Sequence, residues 1–322
     1  MKIISNLKKI ALFAFVAVTI SSCNDDDAVV QLPVSNTISA LASRNANLTI
    51  LVQALTKAEL VGTLNGSASY TVFAPTDDAF RSFLTANQFN SLNDVPPATL
   101  KEILLNHVVT GSVQSTALVD NSYIKTLAKS ATSGTNTMSM YVKKTGPEVK
   151  LNGGAVVTTP NVLASNGVIH IVDKVIDLPT IVTHAAANPA FSTLATVVTS
   201  AAQAAVKTAL SGAGPLTVFA PTNAAFTALD NDPATPGGIA AVSAANITKV
   251  LFYHAIPGNN LAASLTAGSK ATALPDQSFI LALTPTVRIT DVNLRVSNVT
   301  PADVQCSNGV IHILDKVLLP TL

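Results

Sequence analysis

The sequence predicts an α+β protein that contains two copies of one domain. Two sequence strings recur at nearly the same spacing: SNGVIHIVDKV at residues 165–175 returns at 307–317 with one substitution, and TVFAPT at 71–76 returns unchanged at 217–222. Matches that lie 142 and 146 residues apart indicate a duplicated domain rather than a short repeat. In each copy, segments with helical spacing precede a cluster of short strands. This order predicts a helical layer packed on a β-sheet or wedge.

The TVFAPT string predicts a strand followed directly by a helix. Pro75 ends the strand, and Thr76 can cap the following helix, whose first turn carries the acidic residues 77–78. Pro221 and Thr222 repeat the arrangement in the second copy. A structural role is therefore predicted for these Pro-Thr pairs.

The longer repeated string predicts a buried strand that begins after a tight turn. Asn-Gly at residues 166–167 tolerates positive φ, and the segment 168–172 is β-branched except for its histidine. Because side chains alternate along a strand, His170 is expected on the face opposite Ile169 and Ile171. Both faces are apolar, which predicts that the strand is covered on both sides.

Further elements follow from apolar spacing and turn signals. Helices are predicted at 181–187 and 191–210, and the second of these is expected to break near Ser200. Short segments between Gly, Pro and Asn turn signals predict additional strands. These strands are expected at residues 138–142, 149–151, 156–158, 279–283, 287–289 and 294–296.

A third motif lies at the end of a predicted helix in each copy. The helix at 100–109 contains Asn106-His107, and the helix at 247–255 contains Tyr253-His254. Together with the two repeated strings, these motifs resemble the fasciclin domain family, whose members carry a TVFAPT-type motif, a Tyr-His or Asn-His motif and an NGVIH-type motif. The resemblance covers about residues 36 to 320 and implies two tandem fasciclin-like domains, which we place at 36–178 and 179–322.

The resemblance also implies a candidate interaction motif. In animal fasciclin domains the Tyr-His motif has been linked to integrin recognition; Tyr253 and His254 match it fully, whereas Asn106 and His107 match only its histidine. The alternative, which we favour, is that these residues pack the end of the helix, where a histidine also suits the helix dipole.

Residues 1–22 predict a lipoprotein signal peptide. A basic start precedes an apolar run at residues 10–20, which is shorter than the roughly 20 residues that span a bilayer. The sequence Ile20-Ser21-Ser22-Cys23 resembles a bacterial lipobox and predicts Cys23 as the lipid attachment site. The alternative is an ordinary signal peptide with an incidental cysteine.

Residues 23–35 predict an acidic tether. The aspartates at 25–27 resemble the surface-export signal of Bacteroidota lipoproteins, and the alternative is a simple solvated linker. We therefore expect an outer-membrane lipoprotein of the cell envelope that is exposed at the cell surface and held to the membrane by its N-terminal lipid.

Charge and cysteine content restrict the possible binding partners and disulfide bonds. The formal charge of +1 would fall to about −2 once the signal peptide and its three lysines are removed, which leaves no basic patch and predicts no nucleic-acid partner. Cys306 would have no partner for an intrachain disulfide, and its counterpart in the first copy is Ala164. A small buried position is therefore expected there, rather than a nucleophile.

The histidines raise the question of a metal or catalytic site. Four of the five occupy matched positions, at His107, His170, His254 and His312, whereas His184 has no counterpart and is predicted to lie at the surface. No HExxH, CxxC, GxSxG or phosphate-loop motif is present.

Spacing along the strand also separates the candidate ligands. Residues three apart on a strand point to opposite faces, so Asp173 cannot join His170 at one site, and the same holds for Asp315 and His312. All four are therefore predicted to be structural, and we expect no catalytic residue, no metal and no cofactor.

Adhesion is the function that the resemblance implies. We expect a non-enzymatic module that contacts a matrix component, a neighbouring cell-surface protein or a polysaccharide, for example in a biofilm. The alternative is a surface or periplasmic carbohydrate-binding module. The absence of Trp and the presence of only four Tyr weigh against that alternative, because sugar sites commonly use aromatic platforms.

Overall fold

Two α+β halves follow one another along the chain, for which a computed structural model describes residues 35–233 and 235–322, with the side chains of 301 and 302 excepted. The predicted signal peptide, Cys23 and all but the last residue of the predicted tether lie outside the described residues. We call residues 36–178 the first half and 179–322 the second half.

In the first half helices precede a run of strands, as the sequence predicts, but residues 108–109, expected in the helix at 100–109, belong to a strand. The helices are α1 (Ile38–Arg44), α2 (Thr49–Lys57), α3 (Val61–Asn65), α4 (Asp77–Ala86) and α5 (Pro97–Asn106). The strands are β1 (Tyr70–Pro75), β2 (Val108–Thr110), β3 (Ser122–Lys129), β4 (Thr137–Thr145), β5 (Glu148–Leu151), β6 (Ala155–Ala164) and β7 (Gly167–Val172).

The second half repeats this order in its described residues. Its helices are α6 (Ile181–Ala187), α7 (Ser192–Thr199), α8 (Ala204–Ser211), α9 (Asn223–Asp230) and α10 (Ala244–Tyr253). Its strands are β8 (Leu216–Pro221), β9 (Ala255–Pro257), β10 (Gly268–Ala271), β11 (Ser278–Ala282), β12 (Arg288–Thr290), β13 (Val296–Cys306) and β14 (Gly309–Leu314). The α+β class with helices packed on a sheet is thus confirmed.

The two repeated strings form a parallel strand pair at the centre of each half. In the first half β7 pairs with β1 and closes a barrel whose strands run in chain order from β1 to β7. In the second half β14 pairs in parallel with β8, and the sheet order is β10-β11-β12-β13-β14-β8-β9. Each pair sets a phenylalanine opposite the histidine of the string, Phe73 opposite His170 and Phe219 opposite His312.

Two apolar cores lie on opposite faces of this strand pair. Ile169 and Val72 pack against the helical layer, whereas Val172 and Phe73 point into the barrel. This arrangement explains why the string is apolar on both faces, and the prediction of a doubly covered strand is confirmed.

Chain breaks and strand limits were predicted unevenly. The break near Ser200 is confirmed, because Ser200 separates α7 from α8. The strand predicted at 294–296 is wrong at its start: Leu294 has φ +60° in a turn, and β13 begins only at Val296. Strand β3 was not predicted at all, since its apolar alternation is interrupted by polar residues.

The halves contact each other through a defined surface, which corrects one expectation. His184 on α6 is fully buried rather than exposed, because the ring of Tyr123 from β3 packs edge-on against it at 5.4 Å between ring centroids. The Tyr123 hydroxyl also accepts a hydrogen bond of 3.1 Å from Asn188 Nδ2. The surface prediction for His184 failed because it considered one half alone.

Backbone and hydroxyl groups complete this contact between the halves. Ser139 Oγ on β4 accepts a 3.0 Å hydrogen bond from the Gln305 amide on β13. Lys125 Nζ donates to the Asp303 carbonyl at 2.8 Å, and Thr132 Oγ1 donates to the Ser307 carbonyl at 3.0 Å. Residues 36–322 therefore behave as one compact unit.

Candidate functional site

His107 closes α5 and ties it to the end of the first half. Its Nε2 accepts a 2.8 Å hydrogen bond from the Ile176 amide, so the ring proton sits on Nδ1 and is donated to the Ile103 carbonyl at 2.8 Å. The ring is buried, and both nitrogens are used by the backbone. A helix end and a segment 69 residues away are thereby held together.

His254 repeats this geometry in the second half. The Leu318 amide donates to Nε2 at 2.9 Å, and Nδ1 donates to the Val250 carbonyl at 2.7 Å. Such duplicated detail indicates that the imidazole serves as a two-ended connector between backbone groups.

Burial fixes these two rings in the neutral state. It lowers the pKa of His107 to about 4 and that of His254 to about 4, while the hydrogen bonds to the Ile103 and Val250 carbonyls oppose the shift only in part. Neither ring is thus available as a proton carrier near neutral pH.

Asn106 and Tyr253, which precede these histidines, also point inward. Asn106 Nδ2 donates to the carbonyls of Ile176 and Asp177 at 3.2 and 3.0 Å. The Tyr253 hydroxyl donates to the Ser278 carbonyl at 2.9 Å, and burial raises the pKa of this phenol. Both side chains are fully buried. The candidate interaction motif therefore presents no side-chain surface to a partner, and the geometry favours the packing interpretation.

His170 and His312 form a second pair of connectors. His170 Nδ1 accepts from the Asn161 amide at 3.2 Å, and its Nε2 donates to the Val113 carbonyl at 2.9 Å. The ring stacks on Phe73 with 5.4 Å between centroids. Burial lowers the pKa of His170 as well.

The second-half copy has the same connections. His312 Nε2 donates to the Asn260 carbonyl at 2.8 Å, and the Asp303 amide approaches Nδ1 at 3.4 Å. The ring lies 5.3 Å from Phe219, and burial lowers its pKa. Each ring thus joins the central strand to the neighbouring antiparallel strand and to one loop.

Asp173 and Asp315 lie apart from these rings, at the exposed ends of their strands. Asp173 Oδ1 accepts from the Val156 amide at 2.7 Å, and Asp315 Oδ1 accepts from the Asn298 amide at 2.7 Å. The carboxylates extend the pairing of the last strand with its neighbour, and neither is directed at a histidine.

The Pro-Thr pairs occupy the turns predicted for them. Pro75 and Pro221 are the last residues of β1 and β8. Thr76 Oγ1 accepts from the Ala79 amide at 3.2 Å, and Thr222 caps α9 in the same way.

Sequence reasoning missed the tertiary role of the asparagine in the NGVIH-type string. Asn166 Oδ1 accepts from the Ile38 amide, and its Nδ2 donates to the carbonyls of Leu64 and Gly66. Asn308 makes the equivalent contacts in the second half. One side chain thus binds an amide at the start of one helix and carbonyl groups at the end of another. In the sequence, the only sign of this role was that the asparagine recurs in both copies of the string.

The next residue of this string must be glycine. Gly167 has φ +146°, and a Cβ there would lie 1.9 Å from the Tyr70 carbonyl oxygen. The parallel strand pair can therefore form this closely only without a side chain at that position.

These residues together form an internal scaffold in which side chains bind the chain's own backbone. Within residues 35–233 and 235–322, no three His, Cys, Asp or Glu side chains lie together in a way that could hold a metal ion. Cys306 is buried, and burial raises the pKa of its thiol. In the same described range, no helix combines the length and apolar character needed to cross a membrane.

The fold and the scaffold define a class: tandem α+β domains in which duplicated polar motifs bind the chain's own backbone. A model of the fasciclin domain matches residues 46–179 and 189–320. The chain therefore belongs to the fasciclin domain family.

Known proteins share different portions of this chain. Protein sll1483 of Synechocystis sp. is 40% identical over 148 residues, which is 44% of this chain and 74% of that protein. Transforming growth factor-beta-induced protein ig-h3 of Oryctolagus cuniculus is 28% identical over 60% of this chain, and Periostin of Homo sapiens is 23% identical over 80%. The matched regions span only 27% and 29% of those two animal proteins.

A solved structure shares the tandem architecture. The FAS1 domain pair from the insect cell adhesion molecule fasciclin I superposes with a TM-score of 0.52 at 19% identity, covering 85% of this chain and 97% of that one. This similarity shows the fold of the pair.

Proposed function

We propose that the chain is an adhesion protein that contacts a matrix or cell-surface component through the outer surfaces of its two fasciclin domains. The observation that carries this proposal is the inward use of the Asn-His and Tyr-His motifs, because both ring nitrogens of His107 and His254 bind backbone groups. Contacts with a partner then fall to the exterior. The similarity of the fold to a pair from a cell adhesion molecule supports the same function.

Two domains in one chain suit weak and repeated contacts. When two modules are joined, the second contact forms at a high effective concentration, and avidity can rise by roughly 10²–10⁴ without any new contact. The contact between Tyr123 and Asn188 joins the two modules within one compact unit.

Lipid anchoring at Cys23 is part of the proposal. The signal sequence and the acidic run at residues 25–27 support an outer-membrane lipoprotein at the cell surface. The anchored domains would then reach a protein or polysaccharide outside the cell, for example in a biofilm.

Carbohydrate binding is a weaker alternative. Among the described residues, the large hydrophobic side chains that are exposed are all aliphatic, and two of the four tyrosines, Tyr141 and Tyr253, are fully buried. The exposed side chains among these residues therefore do not favour an aromatic platform for a sugar ring.

A deletion strain tests the proposal. Removing the gene should reduce attachment or biofilm formation, and the full chain should restore it. The Cys23→Ser variant should be released from the membrane and restore little, and protease treatment of intact cells should remove the anchored wild-type protein. A strain that attaches normally but no longer grows on one polysaccharide would replace adhesion with the carbohydrate-binding alternative.

A further inference from the structure

The contact between the two halves uses different surfaces on each side. The first half contributes the outer face of β3 and β4, with Tyr123 and Ser139, which we call the hairpin face. The second half contributes α6 and the end of β13, with His184 and Gln305, which we call the receiving face. Because the halves share one fold, each also carries the counterpart of the surface that the other uses.

The receiving face of the first half is not covered by any of the residues that the structure describes. Leu163 pairs with Val168 in the sheet as Gln305 pairs with Val310, so the two positions are equivalent. Gln305 is 0% exposed beneath the first half, whereas Leu163 is 64% exposed.

The helix of this face shows the same difference. Leu41 occupies in α1, after its Thr37 cap, the place that His184 occupies in α6 after Thr180. His184 is fully buried, but Leu41 is only partly buried. An aliphatic surface thus lies open where the second half is covered.

Within residues 35–233 and 235–322, nothing covers the hairpin face of the second half either. Tyr141 lies between Met140 and Val142, which point into the barrel, and Ile280 lies between the equally inward Phe279 and Leu281. Tyr141 and Ile280 are therefore equivalent outward positions. Tyr141 is 0% exposed, whereas Ile280 is 55% exposed.

A turn at the edge of this face supports the equivalence. Gly153, with φ +71°, lies against Ala187 of the other half, since a Cβ on Gly153 would be 3.0 Å from the Ala187 Cα. Leu294, with φ +60°, occupies the corresponding turn between β12 and β13 and is 81% exposed. The second half thus presents aliphatic side chains at the positions through which the first half docks.

We propose that a second copy of this chain occupies these faces head to tail, with the hairpin face of one second half seated on the receiving face of another first half. The occupant is inferred from continuity: within one chain, the receiving face is covered by the hairpin face of the same fold. Leu163 and Ile280, both aliphatic side chains at exposed positions, would then be buried in the contact. Such a contact joins two different surfaces, so it generates an open chain or a closed ring.

This association is expected to be weak in solution and strengthened on a membrane. Inside one chain the two faces meet at an effective concentration of about 1 mM, which separate molecules do not have in dilute solution. Copies tethered to one membrane surface would approach this effective concentration. The proposal thus adds lateral assembly to the proposed adhesive function, and it does not depend on that function.

The test is sedimentation of residues 24–322, which include every described residue, over a range from about 1 µM to about 1 mM. The weight-average mass should rise by about twofold or more with concentration. Leu163→Asp and Ile280→Asp should each abolish the rise. Val119→Asp, at a similarly exposed aliphatic residue outside both faces, should leave it unchanged. Circular dichroism of each variant checks that it is folded.

Mixing the two variants gives the sharpest result. Leu163→Asp keeps its hairpin face and Ile280→Asp keeps its receiving face, so an equimolar mixture should form dimers that extend no further. A wild-type chain that stays monomeric at the highest concentration overturns the proposal, including the case in which the chain's own residues 24–35 cover Leu163. Self-association of folded Leu163→Asp or Ile280→Asp alone also overturns it, because the contact would then use another surface.

Discussion

His107 and His254 show how one side chain in a recurring motif can hold two backbone segments together. Each ring accepts a backbone amide on one nitrogen and donates to a helix carbonyl with the other. A neutral imidazole offers one donor and one acceptor, which is what this junction requires. A protonated ring would lose the acceptor and leave a buried amide without a partner.

Acid should therefore weaken the fold through these rings. Their pKa is about 4 in the folded chain against 6.5 when exposed, so stability is complete above pH 6.5 and falls as the pH decreases toward 4. At pH 5 each ring should reduce the free energy of unfolding by about 2 kcal/mol. Urea unfolding of wild type and His254→Gln measures it. The variant should be less stable at pH 7.5, and the difference should shrink by about 2 kcal/mol at pH 5. A difference that is independent of pH contradicts a ring held neutral in the fold.

For single residues, the sequence predicted whether a side chain is buried but not its hydrogen-bond partners. Matched histidines on apolar elements indicated buried structural rings, whereas the Val113 and Ile176 groups that they bind lie 57 and 69 residues away. No local pattern encodes such pairings. The prediction that His184 lies at the surface was wrong for a related reason, since Tyr123 of the other half covers this side chain.

At the scale of elements, one acidic residue has a role that its position in the chain conceals. Asp77 lies in the first turn of α4, where the helix dipole favours an acid. Its Oδ1 also accepts a 2.8 Å hydrogen bond from the Ile50 amide at the start of α2, which has no side-chain cap of its own. In the second half, Asn223 caps α7 through Thr193 in the same way.

Replacing Asp77 should separate these two roles. Asp77→Ala should lower the free energy of unfolding by about 1 kcal/mol, the usual cost of losing a helix cap. Asp77→Asn should retain most of this stability, because an asparagine, Asn223, makes the equivalent cap in the second half. Asp78→Ala is the matched control: that carboxylate is exposed and pairs only with Arg81, so its loss should change stability by less than about 0.5 kcal/mol. Equal effects of the two alanine variants would show that the contact with Ile50 contributes nothing.

Strands could be predicted where residues alternate or form β-branched runs, and not where tertiary pairing decides. Strand β7 combines a turn signal with a β-branched run and was predicted closely. Strand β3 contains lysines at 125 and 129 and is held mainly by its pairing with β4 and its contact with the second half. Tertiary packing outweighs intrinsic preference in such a segment.

For the whole molecule, duplication favours independent folding of the two halves, whereas the contact between them makes each half contribute to the burial of the other. Each half has its own apolar cores, which favours independent folding. The same halves bury His184 and Gln305 of the second half beneath the first. The two halves thus form one compact unit.

Separating the halves should reveal both properties. Residues 36–178 and 179–322 should each unfold cooperatively, but each should melt about 3–8 °C below the joined chain, since about 1–2 kcal/mol of contact is lost. Calorimetry of the three proteins provides the measurement. A half that stays unfolded alone would rule out independent folding, and unchanged melting temperatures would mean that the contact between the halves adds no stability.

Adhesion through the exterior of the folded pair is tested most directly by counting beads retained on cells that carry the gene. Beads coated with residues 24–322 at matched density are compared with beads carrying the same chain unfolded before coupling, and with albumin beads. After washing, more beads coated with the folded chain should remain on the cells than beads of either control. Beads coated with the Tyr253→Phe variant, a buried change in the candidate interaction motif, should remain in the same number as wild-type beads. Folded-chain beads that wash away like albumin beads would contradict an adhesive function.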